Sequence, residues 1–134
     1  MKAAAKTATI TCKGMPMLVP ILKQEDFLIA SIQGALSDAE LLALRDQLVA
    51  KVRQFRSRAV IIDVAVLDIM DSFAARTLRN IAQMTRLLGA KTIVVGIQPD
   101  VAMSMVQLGL RLDGTIIALD LEDGLSVLKN REMQ

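Results

Sequence analysis

Leu67-Asp68-Ile69-Met70-Asp71-Ser72-Phe73 is the stretch on which the reading of this chain turns. Before it stands Ala59-Val60-Ile61-Ile62-Asp63-Val64-Ala65-Val66, a near-continuous apolar run suited to a strand covered on both faces. After it, from Ala74-Ala75-Arg76 onward, apolar residues recur at three- and four-residue steps, a helical period. Asp71 and Ser72 therefore occupy a strand-to-helix turn, which presents side chains at the rim of a sheet where partners reach them. By default a Ser in this position caps the helix. Catalysis is disfavoured for it: the chain has no His to serve as base, and no Gly-x-Ser-x-Gly elbow surrounds Ser72. Phosphorylation is what the position allows, adding about two negative charges at an exposed turn. Arg76 lies four residues on, and Arg79, Gln83 and Arg86 continue that helical face. A phosphate on Ser72 has Arg76 within one turn; the unmodified face is either a basic stripe for an acidic partner or an ordinary solvated surface.

The elements on either side follow from the same patterning. Residues 18–23 and 27–33 read as two strands joined by the polar turn Gln24-Glu25-Asp26. Ser37-Asp38-Ala39-Glu40 has capping-box spacing, and Leu41, Leu44, Leu48, Val52 and Phe55 then form one apolar stripe with a charged exit over 53–58. The central strand is expected over 59–66 and the second helix over about 72–88, with Leu78, Ile81, Thr85 and Leu88 inward and Gly89 as its stop. A strand over 92–97 and a helix opened by Pro99-Asp100 follow, the helix carrying Val101, Met105 and Leu108 and stopping near Gly109. After the turn Asp113-Gly114 come a strand over 115–119 and a closing helix over 121–129. The order predicts an α/β fold: a mixed, mostly parallel sheet packed with about four helices.

Composition removes several function classes. A chain of 134 residues buries a real core without staples. That core is aliphatic: Trp and Tyr are absent and only Phe27, Phe55 and Phe73 are aromatic, which argues against base-stacking nucleic-acid binders. The lack of His excludes His-dependent triads and His-ligated metals, and the lone Cys12 excludes an intrachain disulfide and a Cys-based zinc site, in keeping with a reducing cytoplasm. The formal charge of +2 comes from the start of the chain, where Lys2, Lys6 and Lys13 face no acid; without them 13 basic side chains stand against 14 acidic ones. No nucleic-acid footprint is expected from so balanced a remainder. Residues 1–14 are Ala-, Thr- and Lys-rich and lack the apolar core of a signal peptide. They read as a disordered or non-native extension ahead of Met15-Pro16-Met17, and no apolar run is long enough to span a bilayer.

Two further constellations need weighing. Gly89-Ala90-Lys91-Thr92 has a superficial likeness to the end of a phosphate-binding loop, but Met84 stands where its first glycine belongs, and a helix precedes where a strand should. Asp63, Asp68 and Asp71 group around the end of the central strand and offer hard oxygen ligands for magnesium, as in a receiver domain. A receiver also needs acids after its first strand, which the early chain does not supply; turn residues and a helix cap are the plainer account.

The succession Ile29-Ala30-Ser31-Ile32-Gln33-Gly34-Ala35-Leu36, a capped helix, Ile61-Ile62-Asp63 and Met70-Asp71-Ser72 resembles the STAS domain of sulfate transporters and anti-anti-sigma factors, over roughly residues 17–131. In anti-anti-sigma proteins the comparable Asp-Ser turn is phosphorylated on the serine, which corresponds to Ser72. Phe73-Ala74-Ala75-Arg76 departs from their Ser-Gly-Leu-Gly run. Together with Leu88-Gly89-Ala90-Lys91, Gly96-Ile97-Gln98-Pro99 and Leu119-Asp120-Leu121-Glu122-Asp123-Gly124-Leu125, it is more similar to the RsbS-type branch, the single-domain STAS proteins of the bacterial stressosome. The resemblance implies one STAS domain over 15–134 and a non-enzymatic cytoplasmic scaffold without cofactor or metal, binding neither nucleic acid nor membrane. It implies co-assembly with RsbR-type STAS proteins and capture of an RsbT-type switch kinase through Asp71, Ser72, Phe73, Arg76 and Arg79. Phosphorylation of Ser72 would release that kinase, and an RsbX-type phosphatase would reset it. Two other readings stay open: a stand-alone anti-anti-sigma factor that binds an anti-sigma kinase, and a magnesium-dependent receiver or small enzyme built on Asp63, Asp68 and Asp71.

Overall fold

A computed structural model of the chain describes residues 19–133, with side chains as far as Lys129. The expectations for residues 1–14, for Met15-Pro16-Met17 and for Leu18 lie outside the described residues. The elements are β1 (Ile21–Gln24), β2 (Phe27–Ser31), α1 (Asp38–Phe55), β3 (Ala59–Asp63), α2 (Ser72–Leu87), β4 (Lys91–Val95), α3 (Pro99–Leu108), β5 (Thr115–Ala118) and α4 (Leu121–Met133). Their order and type are those the patterning predicts.

The five strands lie side by side in chain order, β1 antiparallel to β2 and the rest parallel. The hairpin closes between Gln24 and Phe27, with Glu25 in the left-handed region at φ 52°. Right-handed crossovers between successive parallel strands put α1, α2 and α3 on one face of the sheet and leave α4 for the other. The two-residue period of each strand feeds both layers. Ile29, Ile61, Ile93 and Ile116 stand in register across four strands and pack toward Leu128 of α4. Their neighbours Ala30, Ile62 and Val94 face Leu44 and Leu48 of α1, Leu78 and Ile81 of α2, and Val101 and Met105 of α3. The capping box at Ser37 forms as expected: Glu40 N–H donates to Ser37 Oγ at 3.1 Å and Ser37 N–H to Glu40 Oε1 at 2.7 Å.

Element ends differ from expectation, most consequentially in β3, which stops at Asp63 and not at Val66. The Asp63 carboxylate accepts the Ala65 amide at 2.9 Å, and Leu67 N–H closes a turn onto the Val64 carbonyl at 3.0 Å. Val64 N–H still reaches the Val95 carbonyl at 3.0 Å, and the short acidic side chain then takes the Ala65 amide from the ladder. Leu88 was expected inward and is exposed, because α2 ends at Leu87 and Ala90 N–H returns to the Thr85 carbonyl at 2.9 Å. Leu108 is likewise exposed at the end of α3.

Charge is segregated along the strand axis. At the rim where the parallel strands end lie Asp63, Asp68, Asp71 and Asp120, with Asp38 and Glu40 in the first turn of α1, Asp100 in that of α3, and Glu122 and Asp123 in that of α4. At the opposite rim lie Arg53 and Arg56 at the end of α1, Arg58 before β3, Arg86 at the end of α2, Lys91 opening β4 and Arg111 before β5. Acids at helix starts and bases at helix ends oppose each helix dipole. Summed over a sheet whose helices all run one way, they make one pole acidic, while at the other the bases stand beside Glu25, Asp26 and Asp113, with Asp26 3.8 Å from Arg58 and Asp113 3.4 Å from Arg111.

Candidate functional site

The turn after β3 is built by buried anchors and one cross-loop tie. Leu67 and Met70 are buried and hold the loop to the main core. Gln98, in the loop after β4, donates its side-chain amide to the Ala65 carbonyl at 2.8 Å. Gly96 passes so close to Ala65 that a Cβ there would sit 3.0 Å from the Ala65 Cβ, and its φ of 84° already favours glycine. With β3 ended at Asp63, the apolar residues Val66 and Ile69 are turned outward, 57% and 69% exposed. Ile69 and Asp71 line an apolar cleft of about 120 Å³ together with Ile32, Leu36, Leu41 and Leu67.

Asp71, and not Ser72, caps α2. Its backbone is extended at φ −91°, its Oδ1 accepts the Ala74 amide at 2.8 Å, and its carbonyl accepts the Ala75 amide at 3.0 Å. Ser72 is the first helical residue, exposed, and its hydroxyl has no hydrogen-bond partner among the described residues. The expectation that Ser72 is by default the cap is thereby corrected: the acid takes that task and the hydroxyl stays uncommitted. Phe73 is half-buried against the main core, with its carbonyl accepting from Thr77 Oγ1 at 2.9 Å, so it anchors the helix start and shows a partner only part of its ring.

Of the arginines, Arg76 alone joins Ser72: it is exposed one turn further along α2. Arg79 is half-buried, and its Nη1 donates to the Arg111 carbonyl at 3.4 Å, tying α2 to the loop before β5. Arg86 sits in the last turn of α2, at the opposite rim. The acids are spread over different tasks. Asp63 and Asp71 spend a carboxylate oxygen each on backbone amides, and Asp68 is exposed in the loop between them. Among the described residues no group of three His, Cys, Asp or Glu side chains is placed to hold a metal ion. Gly89 is left-handed at φ 91°, and Thr92 is buried, its hydroxyl 2.8 Å from that of Thr85; this segment stops a helix and starts a strand.

The sequence reading missed Val66, Ile69 and the cleft. A strand extended to Val66 alternates its side chains into the sheet layers; the hydrogen bond from Ala65 to Asp63 is what turns them to solvent. The signal was present as an acid two residues before a small one, directly after a β-branched run.

Residues 19–123 match the family model of the STAS domain. RsbS of Moorella thermoacetica, in a form with serine replaced by glutamate, is 32% identical, with a TM-score of 0.75 over 87% of this chain and 98% of that one. A chain from the molecular architecture of the stressosome, described as a signal integration and transduction hub, is 30% identical, with a TM-score of 0.70 over 86% of this chain and all of its own. In Bacillus subtilis (strain 168), the RsbT co-antagonist protein RsbRA is 27% identical over 108 residues, 81% of this chain. The chain spans only 39% of the length of that relative.

Proposed function

This chain belongs to the STAS domain family, and on that premise we propose that it is a non-enzymatic, phospho-regulated scaffold of a stressosome-type assembly. Residues 15–134 are the STAS domain of this reading, and the cytoplasm is its setting. It co-assembles with RsbR-type STAS proteins and holds an RsbT-type switch kinase at the turn formed by Asp71, Ser72, Phe73 and Arg76. Likeness to RsbS, to a stressosome chain and to an RsbT co-antagonist supports the class of partner. Among the described residues no helix is long and apolar enough to cross a membrane.

The observation that carries the reading is the exposed hydroxyl of Ser72, without a hydrogen-bond partner among the described residues, beside a cap that does not need it. A kinase reaches that oxygen without breaking a hydrogen bond of the fold. The resulting dianion sits over the first turn of α2, where backbone amides and the helix dipole favour negative charge, so the fold tolerates it. A partner fitted to the neutral hydroxyl does not. The loop before Ser72 exposes Val66 and Ile69, so a partner closing on this turn meets apolar side chains, and a phosphate within that contact imposes desolvation and repulsion beside Asp71. Each tenfold loss of affinity is about 1.4 kcal/mol, so a few kcal/mol release the kinase.

The test is titration calorimetry against an RsbT-type kinase, with mass-spectrometric mapping of any transferred phosphate. Ser72→Ala binds constitutively; Ser72→Asp binds more weakly, though one carboxylate carries less charge than phosphate. Phosphate found on Asp63, Asp68 or Asp71 in place of Ser72 would falsify the switch. So would unchanged kinase affinity in both the Ser72→Asp variant and the phosphorylated protein. Size-exclusion chromatography with an RsbR-type protein separates the scaffold from a stand-alone anti-anti-sigma factor, because only the scaffold enters a large particle.

A further inference from the structure

We propose that the cavity between the end of α2 and the starts of β4 and β5 binds the phosphate group of a small soluble phosphomonoester, held by Arg86 and Lys91. The cavity measures about 500 Å³ and lies at the rim opposite Ser72, so the proposal uses no residue of the switch and does not rest on it. That volume falls within the roughly 300–1,000 Å³ of small-molecule sites and leaves room for more than a bare phosphate. Arg86 and Lys91 are the charged groups of its wall, Thr115 brings a hydroxyl, and Ala82, Gly89 and Gly114 are small; no acid lines it. The glycines keep it open. A Cβ on Gly89 would stand in empty space, and one on Gly114 would come within 3.8 Å of the Ala82 Cβ and narrow the floor. Both have positive φ, 91° and 87°, which disfavours any larger residue there.

Charge decides the ligand. Arg86 and Lys91 are exposed, and neither side chain has an ion pair or hydrogen bond among the described residues. Of the acids at this rim, Asp113 sits 3.4 Å from Arg111, Asp26 sits 3.8 Å from Arg58, and Glu25 belongs to the turn between β1 and β2, outside the cavity wall. The carboxyl end of α2 carries partial negative charge, but its carbonyls are engaged. That of Thr85 accepts the Leu88 and Ala90 amides and that of Arg86 accepts the Gly89 amide, all at 3.0 Å or less. Two unpartnered cations in a wall without acids select an anion. A planar guanidinium fork beside an ammonium with three donors suits a tetrahedral dianion. Thr115 Oγ1 donates to the Leu112 carbonyl at 2.7 Å and remains an acceptor for a ligand hydroxyl, while Ala82 and Ile116 offer apolar surface to the ligand body. A sugar phosphate has this chemistry. The likeness of Gly89-Ala90-Lys91-Thr92 to a phosphate-binding loop plays no part, since the Thr92 hydroxyl is buried against Thr85 and Lys91 opens a strand.

Amide chemical-shift mapping of the purified chain with ribose 5-phosphate, ribose and inorganic phosphate, at constant ionic strength, tests this. Ribose 5-phosphate is expected to shift the amides of Gly89, Lys91, Gly114 and Thr115 saturably. Inorganic phosphate is expected to shift the same amides with lower affinity, and ribose to leave them in place. Affinity is expected to rise as pH passes through about 6, where the phosphate becomes dianionic. Arg86→Ala and Lys91→Ala, at exposed positions, are each expected to weaken binding at least fivefold with circular dichroism unchanged, and Lys91→Arg to retain most of it. Chloride that competes as well as phosphate does would mean screening of exposed cations only, and overturns the proposal. So do shifts that never saturate or centre elsewhere, and binding that both alanine variants keep. Inorganic phosphate binding as tightly as ribose 5-phosphate overturns the assignment to an ester. Leu87 and Leu88 are exposed beside the cavity, so vesicles containing phosphatidic acid are the further control: attachment to them without response to either soluble phosphate overturns the proposal in favour of a lipid surface. Kinase capture by Lys91→Ala is expected to match wild type, so failure of this site and failure of the Ser72 switch are read separately.

Discussion

Gln98 and Ala65 are joined by a 2.8 Å hydrogen bond from the side-chain amide to the backbone carbonyl, and through it the loop after β4 steadies the loop that presents Ser72. Replacing Gln98 with Leu removes the donor while keeping bulk. A neutral hydrogen bond contributes roughly 0.5–1.5 kcal/mol net, so global stability in urea should fall by about that much. Amide exchange over residues 64–71 should rise further than the global change accounts for, since the loop loses its tie before the core opens. Equal protection in the variant would show that Leu67 and Met70 hold the loop unaided.

Gly96 and Gly89 make a matched pair of probes. Both have positive φ, 84° and 91°, but an added Cβ at Gly96 meets Ala65 at 3.0 Å, while at Gly89 nothing lies within 4 Å. The left-handed backbone costs a non-glycine residue roughly 1–2 kcal/mol at either site. Gly96→Ala should therefore be destabilised more than Gly89→Ala, by about 1 kcal/mol or more for the overpacked contact, measured by urea unfolding. Equal costs would mean that the Ala65 loop yields freely.

The buried pair Thr85 and Thr92 predicts an asymmetry. Thr85 Oγ1 lies 3.2 Å from the Ala82 carbonyl and 2.8 Å from Thr92 Oγ1. Thr85→Val strands the Thr92 hydroxyl, a desolvation cost of about 1–3 kcal/mol, whereas Thr92→Val leaves Thr85 its carbonyl partner. The first should destabilise more than the second, and the double variant less than their sum. An additive cycle would rule out coupling between the two hydroxyls.

Asp71 and Ser72 should separate cleanly in stability. Asp71→Ala loses the cap of α2 and should cost about 1 kcal/mol, within the usual 0.5–2 for such residues. Ser72→Ala removes an exposed hydroxyl without a partner among the described residues and should stay within about 0.5 kcal/mol of wild type. Comparable losses in thermal unfolding would mean that Ser72 shares the capping.

Arg76 is the remaining charge beside Ser72. If its guanidinium meets the kinase, Arg76→Ala should weaken capture of the unphosphorylated protein by about 1.5–3 kcal/mol, the value of a charge-assisted bond. If it only screens phosphoserine, calorimetry should show the change in the phosphorylated state alone. We expect the first outcome. A change below about 0.5 kcal/mol in both states would return Arg76 to the solvated surface.

Most of the fold was legible because its signals are periodic. The stripe from Leu41 to Val52, the capping box at Ser37 and the continuous run from Ala59 to Ile62 each specify an element and its buried face from neighbours alone. Boundaries were less legible where one side chain competes with the ladder, as Asp63 does, or where a glycine redirects the chain past Leu88. Asp71-Ser72 was found as a turn, but which of the two oxygens caps is settled by backbone geometry at one residue, not by spacing. The arginine stripe shows the opposite limit. Spacing places Arg76, Arg79 and Arg86 on one face, but the long side chain of Arg79 reaches the Arg111 carbonyl, 32 residues on. Contacts of that separation carry no local signal.

The division of labour between Asp71 and Ser72 has a consequence for time as well as for structure. Because the residue that holds the helix start is not the residue that carries the mark, writing and erasing the mark break no capping hydrogen bond of the helix. The mark therefore does not, by removing the cap, open the helix start to proteases. On this account the duration of a signal stored at Ser72 is set by the enzymes that add and remove the phosphate. It does not depend on the lifetime of the chain that bears it.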